Sequence, residues 1–363
     1  MSSIAKMVKV LVVGSGMTGC AAAAMLRQRL PADTDITIWD KARGAGGRMS
    51  TSRSSTGPSA GKSTVDLGAQ YITLTSQYQQ KRQQLYSELQ SQGLLAPLKG
   101  KIDGPNRFDQ DGAQHFVTPQ GSSSLVKHFL QQAKANVEYN HQVLTVEQAA
   151  DGKSLTVTDV GGKSIACQAL VLTMPVPQIL QLKGVVQKTL LANHPEMWEK
   201  LSGVTYSSRY GLGLFYPPGT ELPYEWCAKY FDNHPSIRFA AIDSKKRGID
   251  LSSIGPSVVV HTHVAFGLKH IDEDKEKVKD VLLEHLKEAL PDLPQPAEVK
   301  SQKWRYSQVH RGYLGKPGCV TVQQQPLIIL AGDAFSLSTF DGCLDSAEAI
   351  AATVVENFKN ANL

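Results

Sequence analysis

The sequence has few cysteines and no long apolar segment. Its cysteines are scattered and never form a CxxC pair: Cys20, Cys167, Cys227, Cys319 and Cys343. This pattern excludes a zinc ribbon, a dithiol redox motif and a dense disulfide framework, and it predicts reduced thiols. No apolar run reaches about 18 residues, so we expect no membrane span. Asn-x-Ser/Thr sequons are also absent, and together these absences lead us to expect a cytoplasmic protein.

Charge of either sign is modest as well. The 363 residues include 38 Lys and Arg against 33 Asp and Glu, which gives a formal charge of +5. Nucleic-acid binding would require this excess to be gathered into a basic stripe, and no such run is present. Hydrophobic residues make up 41% of the chain, as in an ordinary globular protein. The length predicts about two domains.

The first forty residues contain a dinucleotide-binding pattern. Val8–Val13 is a short β-branched run, typical of a strand buried on both faces, and Gly14, Gly16 and Gly19 follow it with the spacing GxGxxG. An alanine-rich stretch with the composition of a helix comes next. In such a motif the first glycine permits a tight turn, the second lets the backbone approach a pyrophosphate, and the third allows close helix–strand packing.

An acidic residue at the correct distance supports the pattern. Residues 35–39 are predicted to form the second strand, and Asp40 follows Gly19 by 21 residues. A carboxylate that accepts hydrogen bonds from ribose hydroxyls is expected at about 20 residues. The stretch GPSAGKST at 57–64 resembles a phosphate loop, but that motif requires glycine where Thr56 stands. We therefore interpret residues 50–64 as a mobile surface loop.

Two further signatures distinguish FAD from NAD. Gly46-Gly47-Arg48 follows the acidic residue, and near the other end of the chain a predicted strand at 326–330 runs into Gly332-Asp333. The string FDGC at 340–343 then precedes an apolar helix. Both ends resemble the amine oxidase superfamily, in which the arginine approaches FAD and the Gly-Asp pair binds its ribityl–phosphate region. The last helix of that superfamily directs its positive N-terminus at the flavin ring.

Longer strings resemble one family of that superfamily, the renalases. The similarity covers about residues 8–360 and is carried by these strings: GSGMTG, WDKARGAGGRM, DLGAQYIT, VLTMPVP, YSSRYGLGLFY, QKWRYSQV and FDGC. The resemblance implies an FAD-dependent oxidase with the two-domain fold of p-hydroxybenzoate hydroxylase. Renalases are described as oxidising isomeric dihydro forms of NAD(P)H, with the hydride at the 2 or 6 position of the nicotinamide. The products are NAD(P)+ and, after reaction with O2, hydrogen peroxide.

The resemblance also implies which residues bind FAD. Val143, for example, lies where the superfamily contacts adenine through backbone atoms. Some members of the superfamily attach flavin covalently through a cysteine that follows the tryptophan closely. In this chain the region after Trp304 contains Arg311-Gly312-Tyr313 and Cys319 lies further on, so we expect noncovalent FAD. The full set of expected FAD-binding residues is Gly14, Gly16, Met17, Thr18, Gly19, Asp40, Lys41, Gly47, Arg48, Gln70, Tyr71, Val143, Gly332, Asp333, Asp341, Gly342 and Cys343.

The predicted fold is α/β, with a Rossmann-like FAD domain and an antiparallel-sheet substrate domain. We expect the FAD domain to be discontinuous, with residues 1–75, 116–176 and 310–363, and the substrate domain to contain 76–115 and 177–309. Strands of the substrate domain are predicted near 205–215, 236–243 and 257–265, with a helix near 273–289. Residues 137–146 and 154–160 are predicted to be paired strands that turn at Asp151-Gly152.

The expected catalytic residues are Tyr71, His261 and Trp304. The resemblance places Tyr71 beside the flavin and His261 at the roof of the pocket, within reach of a substrate carboxamide. Purely structural roles for all three remain alternatives. His261 and His263 alternate in a predicted strand, and a metal site would need a third ligand that is not in view, so no metal is expected. Several basic residues are candidates for the substrate phosphates: Arg209, Arg238, Lys245 and Lys246.

The expected partners are a dihydro-NAD(P) substrate and O2, with neither nucleic acid nor membrane, and the expected state is a monomer. No GxSxG elbow or Cys–His pattern is present, which agrees with chemistry carried by the cofactor. Two alternatives stay open. One is oxidation of an amine such as a catecholamine, and the other is a non-catalytic extracellular signalling or binding protein, as proposed for animal renalases, which would be secreted.

Overall fold

The structure is a computed structural model that describes residues 8–105, 112–251 and 253–361. Within these residues the helices lie at the following positions: α1 Met17–Arg29, α2 Ser76–Ser91, α3 Ser123–Ala133, α4 Val176–Leu180, α5 Val185–Asn193, α6 Pro195–Ser202, α7 Asp243–Arg247, α8 Val264–His270, α9 Lys275–Ala289 and α10 Phe340–Asn360. Two single 3-10 turns occupy Gly47–Met49 and Asp333–Phe335.

The strands of the described residues are numbered in chain order. They are β1 Lys9–Val13, β2 Asp35–Asp40, β3 Thr51–Arg53, β4 Thr64–Asp66, β5 Ile72–Leu74, β6 Ala96–Pro97, β7 Ile102–Asp103, β8 Gln114–Val117, β9 Asn136–Tyr139, β10 Val143–Gln148, β11 Leu155–Asp159, β12 Ser164–Cys167, β13 Ala169–Leu172, β14 Lys183–Gly184, β15 Thr205–Phe215, β16 Ala228–Tyr230, β17 Ile237–Ile242, β18 Ser257–Thr262, β19 Glu298–Arg311, β20 Cys319–Gln324 and β21 Leu327–Ala331.

The chain divides into two compact units. The first contains Met1–Gly47, Leu125–Thr205 and Val309–Leu363, and the second contains Arg48–Ser124 and Tyr206–Gln308. Each unit is therefore assembled from separate stretches of sequence. The predicted fold class, an α/β protein with a Rossmann-like domain and a second domain, is confirmed.

The bounds of the units differ from the predicted domains: 48–75 and 116–124 lie in the second unit, and 177–205 and Val309 lie in the first. A buried carboxylate explains the first two. Asp66 accepts hydrogen bonds from the Thr51 hydroxyl at 2.6 Å and from the Ser122 amide at 3.0 Å. The third stretch contains β14, which runs parallel to β10. These contacts join residues distant in sequence, so spacing alone does not reveal them.

The first unit is built on a six-stranded sheet in the order β20-β21-β13-β1-β2-β9. Its pairs are parallel except for β20, which is antiparallel to β21. The centre of the sheet is apolar on both faces, because Val10–Val13 and Ala169–Leu172 are buried. Helix α1 presents buried alanines and packs against α10. The glycine motif thus lies at the carboxyl end of the central strand β1.

A second sheet of the first unit corrects one prediction. Residues 137–146 form two strands in different sheets, because β9 pairs with β2 whereas β10 pairs with β11. The chain changes direction at Asn140, which has a φ of 64°. Asparagine tolerates this left-handed conformation better than most residues, so a strand cannot continue through it. The predicted turn at Asp151-Gly152 does join β10 to β11.

The second unit contains a six-stranded sheet in the order β19-β15-β18-β17-β16-β7. Alternate residues of its strands face opposite ways, so each face has its own core. Tyr210, Leu212 and Ile242 belong to the core that includes α9, whereas Phe215 and Phe239 belong to the other, with Val65 and Leu67. The predicted strands near 205–215, 236–243 and 257–265 and the helix near 273–289 correspond to β15, β17, β18 and α9.

The region predicted to be a mobile loop is partly ordered. Residues 51–53 and 64–66 form an antiparallel pair, β3 with β4. Between them Ser54, Ser59 and Ser63 are buried, and the Ser54 hydroxyl donates to the Ser59 carbonyl at 2.5 Å. Buried serine side chains therefore form hydrogen bonds with the backbone of this stretch. The polar composition that predicted a surface loop reflects these hydrogen bonds.

Candidate functional site

The glycine motif of the first unit has the geometry of an anion-binding turn. Gly14 has a φ of 113°, and a Cβ atom there would lie 2.5 Å from Thr173 Oγ1. At Gly19 a Cβ atom would lie 2.0 Å from the Gly14 carbonyl oxygen. A Cβ atom at Gly16, by contrast, would meet nothing within 4 Å. Gly14 and Gly19 are thus required by close packing, whereas Gly16 borders open space.

That open space lies at the start of α1. Gly16 is the N-cap of the helix, which has no side-chain cap hydrogen bond and no acidic residue in its first turn. Met17 and Thr18 are buried in this turn. A helix N-terminus of this kind attracts phosphate through its N–H groups and its dipole. The residues therefore fit the pyrophosphate of a dinucleotide.

Asp40 lies at the end of β2, next to the glycine turn. Its Oδ2 accepts hydrogen bonds from the Ser15 amide at 2.6 Å and the Ser15 hydroxyl at 2.7 Å, and its Oδ1 accepts one from the Ala42 amide at 2.7 Å. A carboxylate has about four lone-pair sites, so these three bonds leave about one for a ribose hydroxyl. Asp40 consequently supports the turn as well as offering an acceptor. Lys41 beside it is exposed.

The second glycine pair packs onto the first motif. The Gly46 amide donates to the Ser15 carbonyl at 3.0 Å, and a Cβ atom at Gly47 would lie 3.6 Å from Gly16 Cα. Both Gly46 and Gly47 have positive φ, at 131° and 53°. The chain can therefore cross close to the turn only with residues that adopt this conformation easily.

The C-terminal residues complete the first unit. Gly332 has a φ of 120° and donates its amide to the Ser346 hydroxyl at 2.9 Å. Asp333 is buried and accepts from the Ser338 hydroxyl at 2.6 Å. At the start of α10, Thr339 accepts from the Gly342 amide at 3.0 Å. Asp341 is buried in that first turn and Cys343 is half-buried. Val143, also predicted to bind FAD, begins β10.

In the second unit, side chains hold the carbonyl groups of residues 66 to 69. The Leu67 carbonyl accepts hydrogen bonds from His261 Nε2 and from Trp304 Nε1, each at 2.9 Å. Gln70 Nε2 donates to the carbonyls of residues 66 and 68, and the Ser122 hydroxyl donates to that of residue 69. The structure thus brings the three expected catalytic residues, Tyr71, His261 and Trp304, to one short segment. We name residues 66–71 the carbonyl segment.

His261 is neutral at physiological pH. Burial lowers its pKa to about 4, and the hydrogen bond to the Leu67 carbonyl offsets only part of that effect. A carbonyl oxygen carries no proton, so Nε2 must be the protonated ring nitrogen. The remaining nitrogen, Nδ1, is then an acceptor. His263 is not its neighbour on the strand face, because β18 ends at Thr262 and His263 is the N-cap of α8.

An aromatic cluster surrounds Tyr71. The hydroxyl groups of Tyr71 and Tyr230 are 2.6 Å apart, and the Tyr71 ring meets His115 edge-on at 5.2 Å between centroids. The Tyr230 ring lies 4.9 Å from that of Phe239, and Phe239 lies 5.9 Å from His261. Burial raises the pKa of Tyr230, although the Tyr71 hydroxyl opposes it. Nothing in the sequence links Tyr230 to Tyr71, since 159 residues separate them.

Both polar ends of Gln70 are engaged within the second unit. Its two amide hydrogens go to the carbonyls of residues 66 and 68, and its Oε1 accepts from Lys246 Nζ at 2.9 Å. Gln70 therefore has no amide hydrogen left to donate to a cofactor. The neighbouring Arg48 donates to the Ser307 carbonyl at 3.5 Å, and its own carbonyl accepts from the Ala69 amide at 2.9 Å.

The basic residues proposed for substrate phosphates differ in their surroundings. Lys246 is fully buried and paired with Asp243, so it is unavailable to a phosphate, which corrects that prediction. Arg238 pairs with Asp232 at 2.5 Å. Arg209 donates to the Thr262 carbonyl at 3.1 Å. Lys245 is exposed and donates to the Tyr224 carbonyl at 3.0 Å, so each of the four is engaged within the second unit.

No group of three or more potential metal ligands is found among the described residues. In the same part of the chain, no helix is long and apolar enough to cross a membrane.

Comparison with known proteins agrees with this geometry. Residues 12–89 match the NAD(P)-binding Rossmann-like domain, and residues 90–355 match the flavin containing amine oxidoreductase family. A mouse (Mus musculus) renalase is 40% identical over 341 residues, which cover 94% of this chain and 97% of that protein. A solved structure from Exiguobacterium sp. 255-15, to which protoporphyrinogen oxidase activity has been ascribed, has a TM-score of 0.71 at 14% identity. The match covers 98% of this chain and 99% of that one.

The family model covers most of the chain, and the renalase match extends over nearly all of it. The family consists of flavin-dependent oxidoreductases, which agrees with the open space beside Gly16 at the start of α1 and with the residues that pack around it. The chain therefore belongs to the flavin-containing amine oxidoreductases and, among them, to the renalase family.

Proposed function

We propose that this enzyme oxidises isomeric dihydro forms of NAD(P), in which the hydride sits at the 2 or 6 position of the nicotinamide. The substrate would lose a hydride from the ring carbon and become aromatic NAD(P)+. FAD, held noncovalently at the glycine turn before α1, would supply the two-electron acceptor, and dioxygen would take up those electrons with protons to give hydrogen peroxide.

The side chains of the second unit suit such a substrate. A dihydronicotinamide is a flat ring and already a good hydride donor, so it needs orientation more than activation. Tyr71 and Trp304 offer aromatic surfaces, and His261 offers an acceptor at Nδ1. A carboxamide N–H is a suitable donor to that nitrogen. These side chains would therefore bind and orient the ring without exchanging a proton with it.

The convergence of His261 and Trp304 on the Leu67 carbonyl, beside Tyr71, is the observation that carries the proposal, and the lowered pKa of His261 agrees with it. An amine arrives at neutral pH as an ammonium ion and must lose a proton before a hydride can leave. A histidine whose pKa is about 4 is a poor base for that step. Tyr230, whose pKa is raised by burial, is no better as a proton acceptor because its phenol keeps its proton. Hydride donation from a dihydronicotinamide requires no such base.

An anaerobic experiment tests the proposal. The purified, FAD-loaded enzyme is mixed with 6-dihydro-NAD, with ordinary NADH and with a catecholamine in separate runs, and the flavin absorbance is followed. We expect rapid bleaching by 6-dihydro-NAD and formation of hydrogen peroxide once air is admitted. Bleaching by the amine alone would identify an amine oxidase. Protein that is colourless and does not take up FAD would support the non-catalytic alternative.

The noncovalent attachment has a separate test. Cys319 begins β20 and its sulfur lies 3.5 Å from the Thr353 hydroxyl, while burial raises its pKa. A thiol with a raised pKa is a weak nucleophile at neutral pH. Acid precipitation of the yellow enzyme should leave the flavin in the supernatant. Flavin retained in the pellet would contradict noncovalent binding.

A further inference from the structure

A buried group of charged residues lies behind the carbonyl segment. Lys246 Nζ pairs with Asp243 Oδ1 and Arg247 Nη2 pairs with Asp243 Oδ2, each at 2.7 Å. The side chains of Lys246 and Asp243 are 0% exposed. Burial by itself would raise the pKa of Asp243, but Lys246 and Arg247 outweigh it and hold that pKa below its ordinary value. The carboxylate is therefore charged.

Stability alone does not account for this arrangement. Removing two charges from water is costly, and a buried ion pair is often no more stabilising than apolar residues of similar volume. Breaking such a pair is nevertheless strongly destabilising, because one charge then stays buried without its partner. A buried pair can instead serve to select one arrangement of the surrounding chain. The atoms that Lys246 contacts show which arrangement that would be.

Lys246 fixes the orientation of the Gln70 amide. An ammonium group only donates, so Gln70 must turn its oxygen toward Lys246 Nζ, at 2.9 Å. The amide nitrogen then faces the carbonyl groups of residues 66 and 68, at 2.6 and 2.9 Å. Asp243 acts on the same segment, since its Oδ2 accepts from the Asp66 amide at 3.2 Å. The ion pair thereby holds the carbonyl segment at several of its backbone groups.

The carbonyl group of Leu67 lies between those of residues 66 and 68, and it binds two of the expected catalytic residues. The Leu67 carbonyl receives both His261 and Trp304, and Tyr71 follows Gln70 directly. A shift of the carbonyl segment would therefore displace all three side chains at once. A misplacement of about 1 Å can lower the rate of an oriented reaction about a hundredfold.

We propose that Lys246 is a positioning residue of this enzyme. Its ammonium group orients the Gln70 amide, and Gln70 then holds the carbonyl segment so that Tyr71, His261 and Trp304 keep their places. The consequence for catalysis rests on the function proposed above. The consequence for the order of the segment does not depend on that function.

The test compares Lys246→Met with Lys245→Met in the FAD-loaded enzyme. Lys245 is the matched control, because it is the adjacent lysine of α7. It is exposed, and its Nζ donates to the Tyr224 carbonyl, at 3.0 Å, and not to the carbonyl segment or to Gln70. Hydrogen exchange of a peptide that covers residues 66–71 should become about tenfold faster in Lys246→Met and should not change in Lys245→Met. Exchange at the wild-type rate in Lys246→Met would overturn the proposal.

The second variant, Gln70→Met, removes the link and keeps the ion pair. It tests the proposal even if Lys246→Met unfolds. We expect Gln70→Met to accelerate exchange of the carbonyl segment at least as strongly as Lys246→Met, because it also removes the hydrogen bonds to the carbonyls of residues 66 and 68, with a smaller loss of stability. The double variant should show no further acceleration over Gln70→Met, since the effect of Lys246 passes through the Gln70 amide, which that variant already lacks. Additive effects would mean that Lys246 acts by another route, and would refute the proposal.

Kinetics provide a measurement that would stay unchanged if Lys246 and Gln70 had only a structural role. At saturating 6-dihydro-NAD we expect the rate of flavin bleaching to fall about ten- to hundredfold in Gln70→Met. The half-saturating concentration and the flavin absorbance should stay close to wild type. A wild-type bleaching rate in Gln70→Met would refute the role in catalysis. If 6-dihydro-NAD fails to bleach even the wild-type enzyme, the proposed function is wrong, and the exchange data still decide the role of Lys246.

Discussion

The pKa of His261 predicts how stability depends on pH. Burial lowers this pKa from its ordinary value of 6.5 to about 4. Above pH 6.5 the imidazole is neutral in both the folded and the unfolded chain, and its contribution to stability is constant. Between pH 6.5 and 4 only the unfolded chain takes up the proton, so the free energy of unfolding falls as the pH falls. Below pH 4 the folded state is protonated too.

The magnitude follows from the same two values. Each pKa unit corresponds to about 1.4 kcal/mol, so the fall from 6.5 to about 4 is worth at most about 3 kcal/mol. That is a large part of the stability of a typical protein, which is about 5–15 kcal/mol. Other groups titrate in the same range, so the contribution of His261 must be isolated by a variant.

His261→Gln is a suitable variant. Its amide can still donate to the Leu67 carbonyl, but it takes up no proton in this range. Urea unfolding of both proteins at pH 7, 6, 5 and 4 gives the difference in free energy at each pH. We expect wild type to lose about 3 kcal/mol more than His261→Gln between pH 7 and 4. Parallel curves would refute the assignment of a buried, neutral His261.

Three substitutions test the rest of the site. Gly16→Ala should weaken FAD binding about tenfold or more, measured by titration of the apoprotein, because its methyl group enters the open space at α1, while unfolding changes by only about 1 kcal/mol. Gly19→Ala should instead lower the free energy of unfolding by about 2–3 kcal/mol, since its Cβ atom would lie 2.0 Å from the Gly14 carbonyl oxygen. Tyr230→Phe removes the hydroxyl 2.6 Å from that of Tyr71 and should cost about 1 kcal/mol in urea unfolding; unchanged stability would mean that the contact contributes nothing.

The nucleotide-binding half of the protein was largely predictable. A strand, a glycine turn, a helix and an acidic residue follow one another within forty residues, and the structure has β1, α1 and β2 with Asp40 at the end of β2. Local spacing is sufficient in this case, because the strand, the glycine turn and the helix that form the motif are consecutive in the sequence. The strand before Gly332 and the last helix were predicted for a similar reason, since each is a continuous apolar run.

The second unit was predicted less completely. The strands and α9 were recognised by their composition, but the contacts among their side chains were not. Lys246 illustrates the difference. It was chosen with three other basic residues as a candidate to bind the substrate phosphates, and that choice rested on charge alone. In the structure it is buried against Asp243, 0% exposed. Its partner Asp243 is only three residues away, but whether that pair is buried depends on which elements pack against α7.

The sequence by itself therefore determined the dinucleotide turn, the order of the main strands and helices, and the family. These features depend on residues close together in the chain or on long matching strings. Only the tertiary structure decided that Leu67 binds both His261 and Trp304, that Tyr230 meets Tyr71, and that Lys246 reaches Gln70. Each of these contacts joins residues more than 150 positions apart. Spacing within a single sequence holds no record of such pairs, because they form only when the sheet of the second unit is assembled.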